Sequence, residues 1–200
     1  RHLQSYRPKD VTQETGRALL RKLVDKDIRV VLDPVFLLTK EQWRKIAVYP
    51  RITEDYIFVY KIADSRAFDY ALRLSIEEKC KAVVLQAPHR HMPHIFRAER
   101  CVSPQEWIGW LDGARFIVTD SFHASAFSVI FEKKFLSFKS CCINHKNSRI
   151  YDMLKLFDLE SRFRESADGG SIKEEIDYGR VKDQLASYIQ MSEDFIMQRL

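Results

Sequence analysis

The chain of 200 residues lacks a long apolar run, a terminal signal region and any repeat. No stretch approaches the roughly 18 apolar residues that a helix needs to cross a bilayer, so no transmembrane segment is predicted. The first ten residues, RHLQSYRPKD, contain neither an apolar signal region nor an initiating Met, which predicts a fragment or a processed chain. With 46% hydrophobic residues, the sequence is typical of a folded domain, and we expect it in the cytoplasm.

The chain also has no block of five or six basic residues, although its net charge is +5 and its isoelectric point is about 9.0. Lys and Arg are scattered through the predicted helices, so nucleic-acid binding is not expected. A pocket for anionic substrates would explain the positive excess. Peripheral association with an anionic membrane surface would explain it equally well.

Motifs for metal or redox chemistry are missing as well. The four cysteines, which form no CxxC pair, are Cys80, Cys101, Cys141 and Cys142. We interpret them as reduced structural thiols and predict no metal and no cofactor. His89, His91 and His94 suggest a zinc site, and the spacing of the first two suits a metal, but Pro93 interrupts the segment 88–100 and no fourth ligand lies nearby in the sequence. We therefore interpret this segment as a loop.

Short apolar segments alternate with amphipathic ones along the chain. The predicted strands are 28–32, 55–62, 81–87, 115–120 and 134–138. The predicted helices are 11–25, 40–48, 65–79, 103–113, 122–131, 148–159 and 176–200. Strands that alternate with helices predict an α/β fold with a doubly wound parallel sheet, whose sites lie beyond the carboxyl ends of the strands.

Local signals place several of the helix starts. Thr39 with Gln42, and Ser103 with an acid three residues later, match the pattern of a capping box. Asn147 and Ser148 are predicted to cap the helix that follows them. The apolar face of segment 11–25 is predicted to contain Leu19, Leu20 and Leu23.

The candidate site is in residues 115–131, RFIVTDSFHASAFSVIF, where a buried strand runs directly into a helix. The free N–H groups at such a helix start can bind an anion, here around residues 121–125. His123 lies in the first helical turn and can exchange a proton near neutral pH. The combination predicts chemistry on a phosphorylated substrate, with Ser121, Phe122, Ala124 and Ser125 around the anion.

Several neighbouring residues allow two interpretations. Asp120 either caps the helix or orients His123, and Ser121 either caps the helix or contacts phosphate. Arg149 either binds the anion or pairs with an acid across the sheet. Ser103 either only starts a helix or also directs amides into the cleft. Tyr60, at the end of a predicted strand, is a further cleft candidate.

Five pieces of the sequence together resemble the polysaccharide pyruvyl transferase family. They are VVLDPVFLL (30–38), DYIFVYKI (55–62), VSPQEWIGWLDGARFIVTDSFHASAFSVIF (102–131), NSRIYDMLKLFDLESRF (147–163) and IDYGRV (176–181). The resemblance implies a fold like that of GT-B glycosyltransferases, with two Rossmann-like domains around a cleft. Residues 1–32 would be the remnant of the N-terminal domain, and 33–200 the C-terminal, donor-binding domain.

The resemblance also implies a reaction. Family members transfer the carbon skeleton of phosphoenolpyruvate to sugar hydroxyls as a ketal, and His123 matches the family's histidine at the phosphoenolpyruvate site. The family's enzymes often have Arg-Leu-His-Gly where this chain has Ser121-Phe122-His123-Ala124. The expected partners are phosphoenolpyruvate, a saccharide or lipid-linked saccharide acceptor, and the missing N-terminal domain. The alternatives are a glycosyltransferase that uses a nucleotide sugar, and a non-catalytic saccharide-binding module.

Trp107 and Trp110 lie three residues apart on one predicted helix. Residues with this spacing share a helix face. We predict that both side chains belong to the core or to an interface.

Overall fold

A computed structural model describes residues 10–11, 14–23, 28–63, 65–85, 94, 96–99, 101–141, 144–168 and 170–198. The strands are β1 (Asp10–Val11), β2 (Arg29–Val30), β3 (Tyr56–Tyr60), β4 (Lys81–Leu85), β5 (Phe96–Glu99), β6 (Phe116–Thr119), β7 (Lys134–Phe138) and β8 (Phe163–Arg164). The α-helices are α1 (Glu14–Arg21), α2 (Lys40–Ile46), α3 (Ala67–Glu78), α4 (Pro104–Gly113), α5 (Phe122–Ile130), α6 (Asn144–Leu156) and α7 (Tyr178–Met197).

Six of the strands form one parallel sheet in the order β5-β4-β3-β6-β7-β8. The chain moves outward from β3 to β5, crosses back to place β6 beside β3, and then moves outward to β8. This is the strand order of a Rossmann-like doubly wound fold. The predicted fold class is confirmed.

The main sheet is buried on both faces. Phe58 of β3 packs into one apolar cluster, whereas Ile57 and Val59 of the same strand pack into a second cluster. All three are fully buried, as the pleat of a central strand with helices on both sides requires. The continuous apolar runs of the sequence therefore belong to the central strands.

The small sheet formed by β1 and β2 is separate from the main one. The chain that leaves β2 contacts the terminal helix, where the amide of Leu32 donates to Ser192 Oγ at 3.0 Å. The domain boundary at residue 32 stays a prediction. No helix within the described ranges has the length and apolar character needed to cross a membrane.

The two predicted capping boxes are confirmed. Thr39 and Gln42 bond reciprocally at the start of α2, and Ser103 and Glu106 do so at the start of α4. Each box provides hydrogen-bond partners for two amides that a helix start leaves free. Local sequence therefore fixes where both helices begin.

The prediction of one helix over residues 11–25 is wrong in extent. Asp10–Val11 is a strand, and α1 has only about two turns. Leu19 and Leu23 are 56% and 66% exposed. A polar contact connects α1 to α6: the amide of Thr15 donates to Asp152 at 3.0 Å.

Two further predictions are wrong because partners outside the segment itself decide its structure. Phe96–Glu99, predicted as loop, is edge strand β5, while His89 and His91 lie outside the described residues. Asn147 does not cap a helix start, because α6 already begins at Asn144. Its side chain bonds instead to the amide and the carbonyl of Ser140, at 2.8 and 3.0 Å.

Candidate functional site

The site lies at the carboxyl edge of the sheet between the neighbouring strands β3 and β6. The strand order reverses here, and ligands of doubly wound folds bind in the crevice at this point. The two strand ends are bonded together, since the Thr119 hydroxyl donates to the Tyr60 carbonyl at 2.6 Å. Tyr60, predicted from its place at a strand end, therefore lies beside the start of α5.

Asp120 fixes the turn that follows β3. One carboxylate oxygen accepts from the amide of Ile62 at 2.6 Å, and the other accepts from Ala63 at 3.2 Å. The residue is only 6% exposed. The interpretation of Asp120 as the cap of α5 is therefore wrong, and both of its carboxylate oxygens are engaged by the backbone.

Ser121 is the cap of α5. Its hydroxyl accepts from the amide of Ala124 at 3.4 Å, and its carbonyl accepts the first intrahelical bond from Ser125 at 3.0 Å. The amides of Phe122 and His123 precede that first bond and so have no acceptor within the helix. The predicted anion-binding end is thus formed chiefly by these two amides.

Ala124 and Ser125 lie on the buried side of α5. Both are fully buried, and the Ser125 hydroxyl donates to the Ser121 carbonyl at 2.8 Å and bonds to Ser137 of β7 at 2.7 Å. These contacts hold the start of α5 against the sheet. The two buried residues therefore stabilise the position of the site and do not line the cleft.

His123 is exposed and lines a cleft of about 420 Å³ at the edge of the sheet. Its ring lies 5.4 Å from that of Phe122, in a T-shaped contact. Because it is exposed at the cleft, this imidazole can contact a ligand that is bound there. The structure thus places the predicted histidine where chemistry on a bound molecule is possible.

Four aromatic rings form one wall of this cleft. Trp107 lies 5.5 Å from Tyr60 and 5.4 Å from Phe127, and Trp43 lies 4.9 Å from Phe127. The remaining lining residues are Val35, Ile62, Val102, Pro104, Ile108, Ser121 and His123. The cleft is therefore largely apolar, with its polar groups at the α5 edge.

The prediction for the two tryptophans of α4 is confirmed for Trp110, which is 6% exposed and belongs to the core. Trp107 packs against the same core but also faces the cleft. Trp43 and Phe127 were not predicted as site residues. No local signal marks either of them, since only the packing of α2 and α5 brings them to the cleft.

Burial raises the pKa of the Tyr60 hydroxyl, and the nearby charge of Asp120 raises it further. The phenol is therefore neutral at physiological pH. A neutral phenol both donates and accepts hydrogen bonds. Tyr60 thus adds a hydrogen-bonding hydroxyl group to the aromatic wall.

Arg149 pairs with an acid, as one of its two interpretations predicts. Its Nη2 donates to Asp33 Oδ2 at 2.7 Å. The guanidinium carbon also lies 3.9 Å from the centre of the Phe122 ring, a cation–π contact at the first residue of α5. The same arginine is therefore both ion-paired and adjacent to the predicted anion site.

Ser103 is not among the residues that line the cleft, although its sequence neighbours Val102 and Pro104 are. Its hydroxyl donates to Glu106 at 2.8 Å and accepts from the Glu106 amide at 3.3 Å. Hydrogen bonds from the Ser103 amide and hydroxyl lower the pKa of Glu106. The Ser103 amide and hydroxyl are therefore both bonded to Glu106 in the cap of α4.

The sequence model of the family described as polysaccharide pyruvyl transferase matches residues 14–141. The matched region is more than half of the chain and includes β3, β6 and α5. A search of curated proteins gave no match. The matched residues contain the strand order reversal, the exposed His123 and the aromatic cleft beside it, and we conclude that this chain belongs to the polysaccharide pyruvyl transferase family.

Proposed function

We propose that this chain forms the donor-binding part of an enzyme that transfers pyruvate from phosphoenolpyruvate to sugar hydroxyls as a ketal, in surface polysaccharide biosynthesis. The observation that carries the proposal is the position of His123. Its exposed imidazole lines a largely apolar cleft and belongs to the first turn of α5, where the helix has free amides. A group that moves protons between an anionic donor and a saccharide acceptor needs this placement.

The reaction makes three demands on the site. The phosphate and carboxylate of the donor must be held, its methylene carbon must gain a proton, and two sugar hydroxyls must lose theirs. Protonation of the methylene makes the neighbouring carbon electrophilic, the first hydroxyl oxygen bonds to it, the C–O bond to phosphate breaks, and the second hydroxyl oxygen takes the place of phosphate. One hydroxyl proton replaces the proton given to the methylene, and the other leaves with phosphate.

The donor end of the site would be the start of α5. The amides of Phe122 and His123 suit a phosphate or carboxylate oxygen. Arg149, whose guanidinium lies over the Phe122 ring, adds positive charge nearby. His123 would protonate the methylene or accept a hydroxyl proton. No metal or cofactor takes part in this scheme.

The acceptor end would be the aromatic wall. Sugar rings present apolar C–H faces and polar edges, and an aromatic ring covers such a face without competing for the hydroxyls. Tyr60, Ser121 and His123 could then bond to the edge of the sugar. A saccharide or lipid-linked saccharide would thus lie next to the imidazole.

A second domain would close the cleft from the opposite side. We place the protein in the cytoplasm, at the inner face of the membrane where a lipid-linked acceptor would be available. We expect the 200 residues to bind the donor without turning it over, because a cleft needs both of its walls. Turnover by these residues alone would contradict that expectation.

Titration calorimetry with phosphoenolpyruvate tests the proposed donor. We expect phosphoenolpyruvate to bind, and inorganic phosphate and pyruvate each to bind more weakly, because each supplies only one of the two anionic groups. His123→Ala is expected to weaken binding of the donor. His94→Ala, which removes another exposed imidazole outside the site, should leave it unchanged. Binding of UDP-glucose in place of phosphoenolpyruvate would instead indicate a glycosyltransferase, and no binding of either would contradict both enzymatic functions.

Tryptophan fluorescence tests the proposed acceptor surface. The chain has three tryptophans, of which Trp43 and Trp107 line the cleft while Trp110 is buried elsewhere in the core. We expect methyl pyranosides at millimolar concentration to change the emission of a Trp110→Phe variant. The double variant Trp43→Phe/Trp107→Phe keeps only the core tryptophan and should not respond. A response of that double variant, or none from the first, would exclude stacking on this wall.

A further inference from the structure

We propose that Asp33 is a positioning residue that holds the Arg149 guanidinium over the start of α5, where it meets the anionic donor. The inference rests on the proposed function, because the donor is the anion concerned. It assigns a role to an acid that lies far from α5 in the sequence, three residues after the end of β2. It also gives the ion pair of Arg149 a purpose in the site.

The cation at this end of the site is not supplied by α5 itself. Residues 120–125, Asp-Ser-Phe-His-Ala-Ser, contain no Arg or Lys. Arg149 comes from α6, and its guanidinium carbon lies 3.9 Å from the Phe122 ring centre. Phe122 in turn contacts the His123 ring, so the guanidinium and the imidazole both contact the same phenyl ring.

Asp33 is well suited to fix the position of that guanidinium. Its side chain is 10% exposed, against 33% for Arg149. One carboxylate oxygen accepts from the amide of Val35 at 3.2 Å and so is held by the turn that begins at Pro34. The other oxygen accepts from Arg149 Nη2 at 2.7 Å. The hydrogen bond from the Val35 amide thus orients the Asp33 carboxylate independently of the arginine.

The pairing leaves the arginine able to bind a second anion. A guanidinium has five N–H donors in a rigid fork, and Asp33 engages one nitrogen. Arg149 Nε is buried and has no hydrogen-bond partner among the described residues. Because Nε is buried and the side chain is 33% exposed, the donors left for a second anion are those of the terminal nitrogens. Asp33 and the Phe122 ring both contact the guanidinium and so fix its place.

Calorimetric titration of phosphoenolpyruvate into Asp33 variants tests the role. Asp33→Ala removes the acceptor of Nη2, and we expect the dissociation constant to rise about tenfold, the effect of losing one oriented charge-assisted contact. Asp33→Asn retains one acceptor oxygen, which can accept from Arg149 Nη2 but not at the same time from the Val35 amide on the other side, so we expect a smaller rise than in Asp33→Ala, of about threefold. Equal losses in the two variants would contradict positioning by hydrogen bonding.

A double variant separates positioning from a general effect on folding. If Asp33 acts through Arg149, then Asp33→Ala should weaken binding no further once Arg149→Gln is present. Thr39→Ala is the matched control, because it removes a cap from α2 and lowers stability without touching Arg149. It should leave the affinity for phosphoenolpyruvate unchanged.

The outcomes distinguish this inference from the proposed function. Binding of phosphoenolpyruvate by the unmodified chain together with unchanged binding by Asp33→Ala would overturn the inference and leave the function standing. A further loss in the double variant would also overturn it. Failure of the unmodified chain to bind phosphoenolpyruvate would overturn the proposed donor, and the inference with it.

Discussion

Replacing His123 by alanine is expected to lower the rate of pyruvyl transfer by about 10²–10⁴-fold, the usual contribution of a positioned acid or base. The imidazole is the titratable group of the α5 start that faces the cleft, whereas Asp120 has both carboxylate oxygens engaged by the backbone. The rate is measured with phosphoenolpyruvate and a saccharide acceptor, in the full-length protein. We expect kcat to fall more than KM rises, because proton transfer occurs in the transition state.

The fold should survive this substitution. The His123 side chain is exposed, so the free energy of unfolding should change by less than about 0.5 kcal/mol. His94→Ala removes an exposed imidazole away from the cleft and should leave kcat unchanged. A His123→Ala enzyme that keeps more than about a tenth of its activity would show that another group moves the proton.

The parts of this site that are local in sequence could be predicted. The run from Phe116 to Ile130 has an apolar strand, two candidate caps in Asp120 and Ser121, and a helical pattern in direct succession, and each of these signals depends on neighbouring residues alone. The capping boxes at Thr39 and Ser103 were predictable for the same reason. His123 could therefore be placed at a helix start from sequence alone.

The parts that depend on distant contacts could not be predicted. Arg149 and Asp33 are 116 positions apart, and Asp120 bonds to amides almost 60 positions before it. A sequence pattern shows that such residues are charged but not which partner each one meets. The alternatives for Asp120 and Arg149 stayed open for this reason, and the fold decided both.

The edges of the sheet show the same limit. The central strands are apolar because both of their faces are covered, so composition identifies them. Strand β5, with the sequence FRAE, has no buried residue and, within the described ranges, pairs only with β4. Strand β8 has two residues and, in the same part of the chain, pairs only with β7. Neither needs an apolar run, and without one the sequence contains no strand signal.

The cleft wall depends on an unusually close approach between α4 and the chain that follows α2. A Cβ at Gly109 would lie 2.1 Å from the Val48 carbonyl oxygen and 2.6 Å from its carbon. This chain cannot shift easily, because the amide of Val48 donates to the Gln105 carbonyl at 2.9 Å. Asp112 holds it as well, by accepting from Tyr49 at 2.6 Å and from Arg44 at 2.8 and 3.0 Å.

Gly109→Ala is therefore expected to lower the free energy of unfolding by about 3 kcal/mol, near the upper end of what overpacking costs, because both clashing atoms belong to the backbone. Chemical denaturation measures the loss. Gly179→Ala in α7 is the matched control, since its Cβ would meet only a carboxylate oxygen of Asp177, at 3.2 Å. There alanine should be neutral or stabilise by up to about 1 kcal/mol, because it favours helix more than glycine does. Similar stabilities for the two variants would contradict the close packing. Because α4 also carries Trp107, the Gly109 variant should in addition weaken the fluorescence response to pyranosides, whereas the Gly179 variant should retain it.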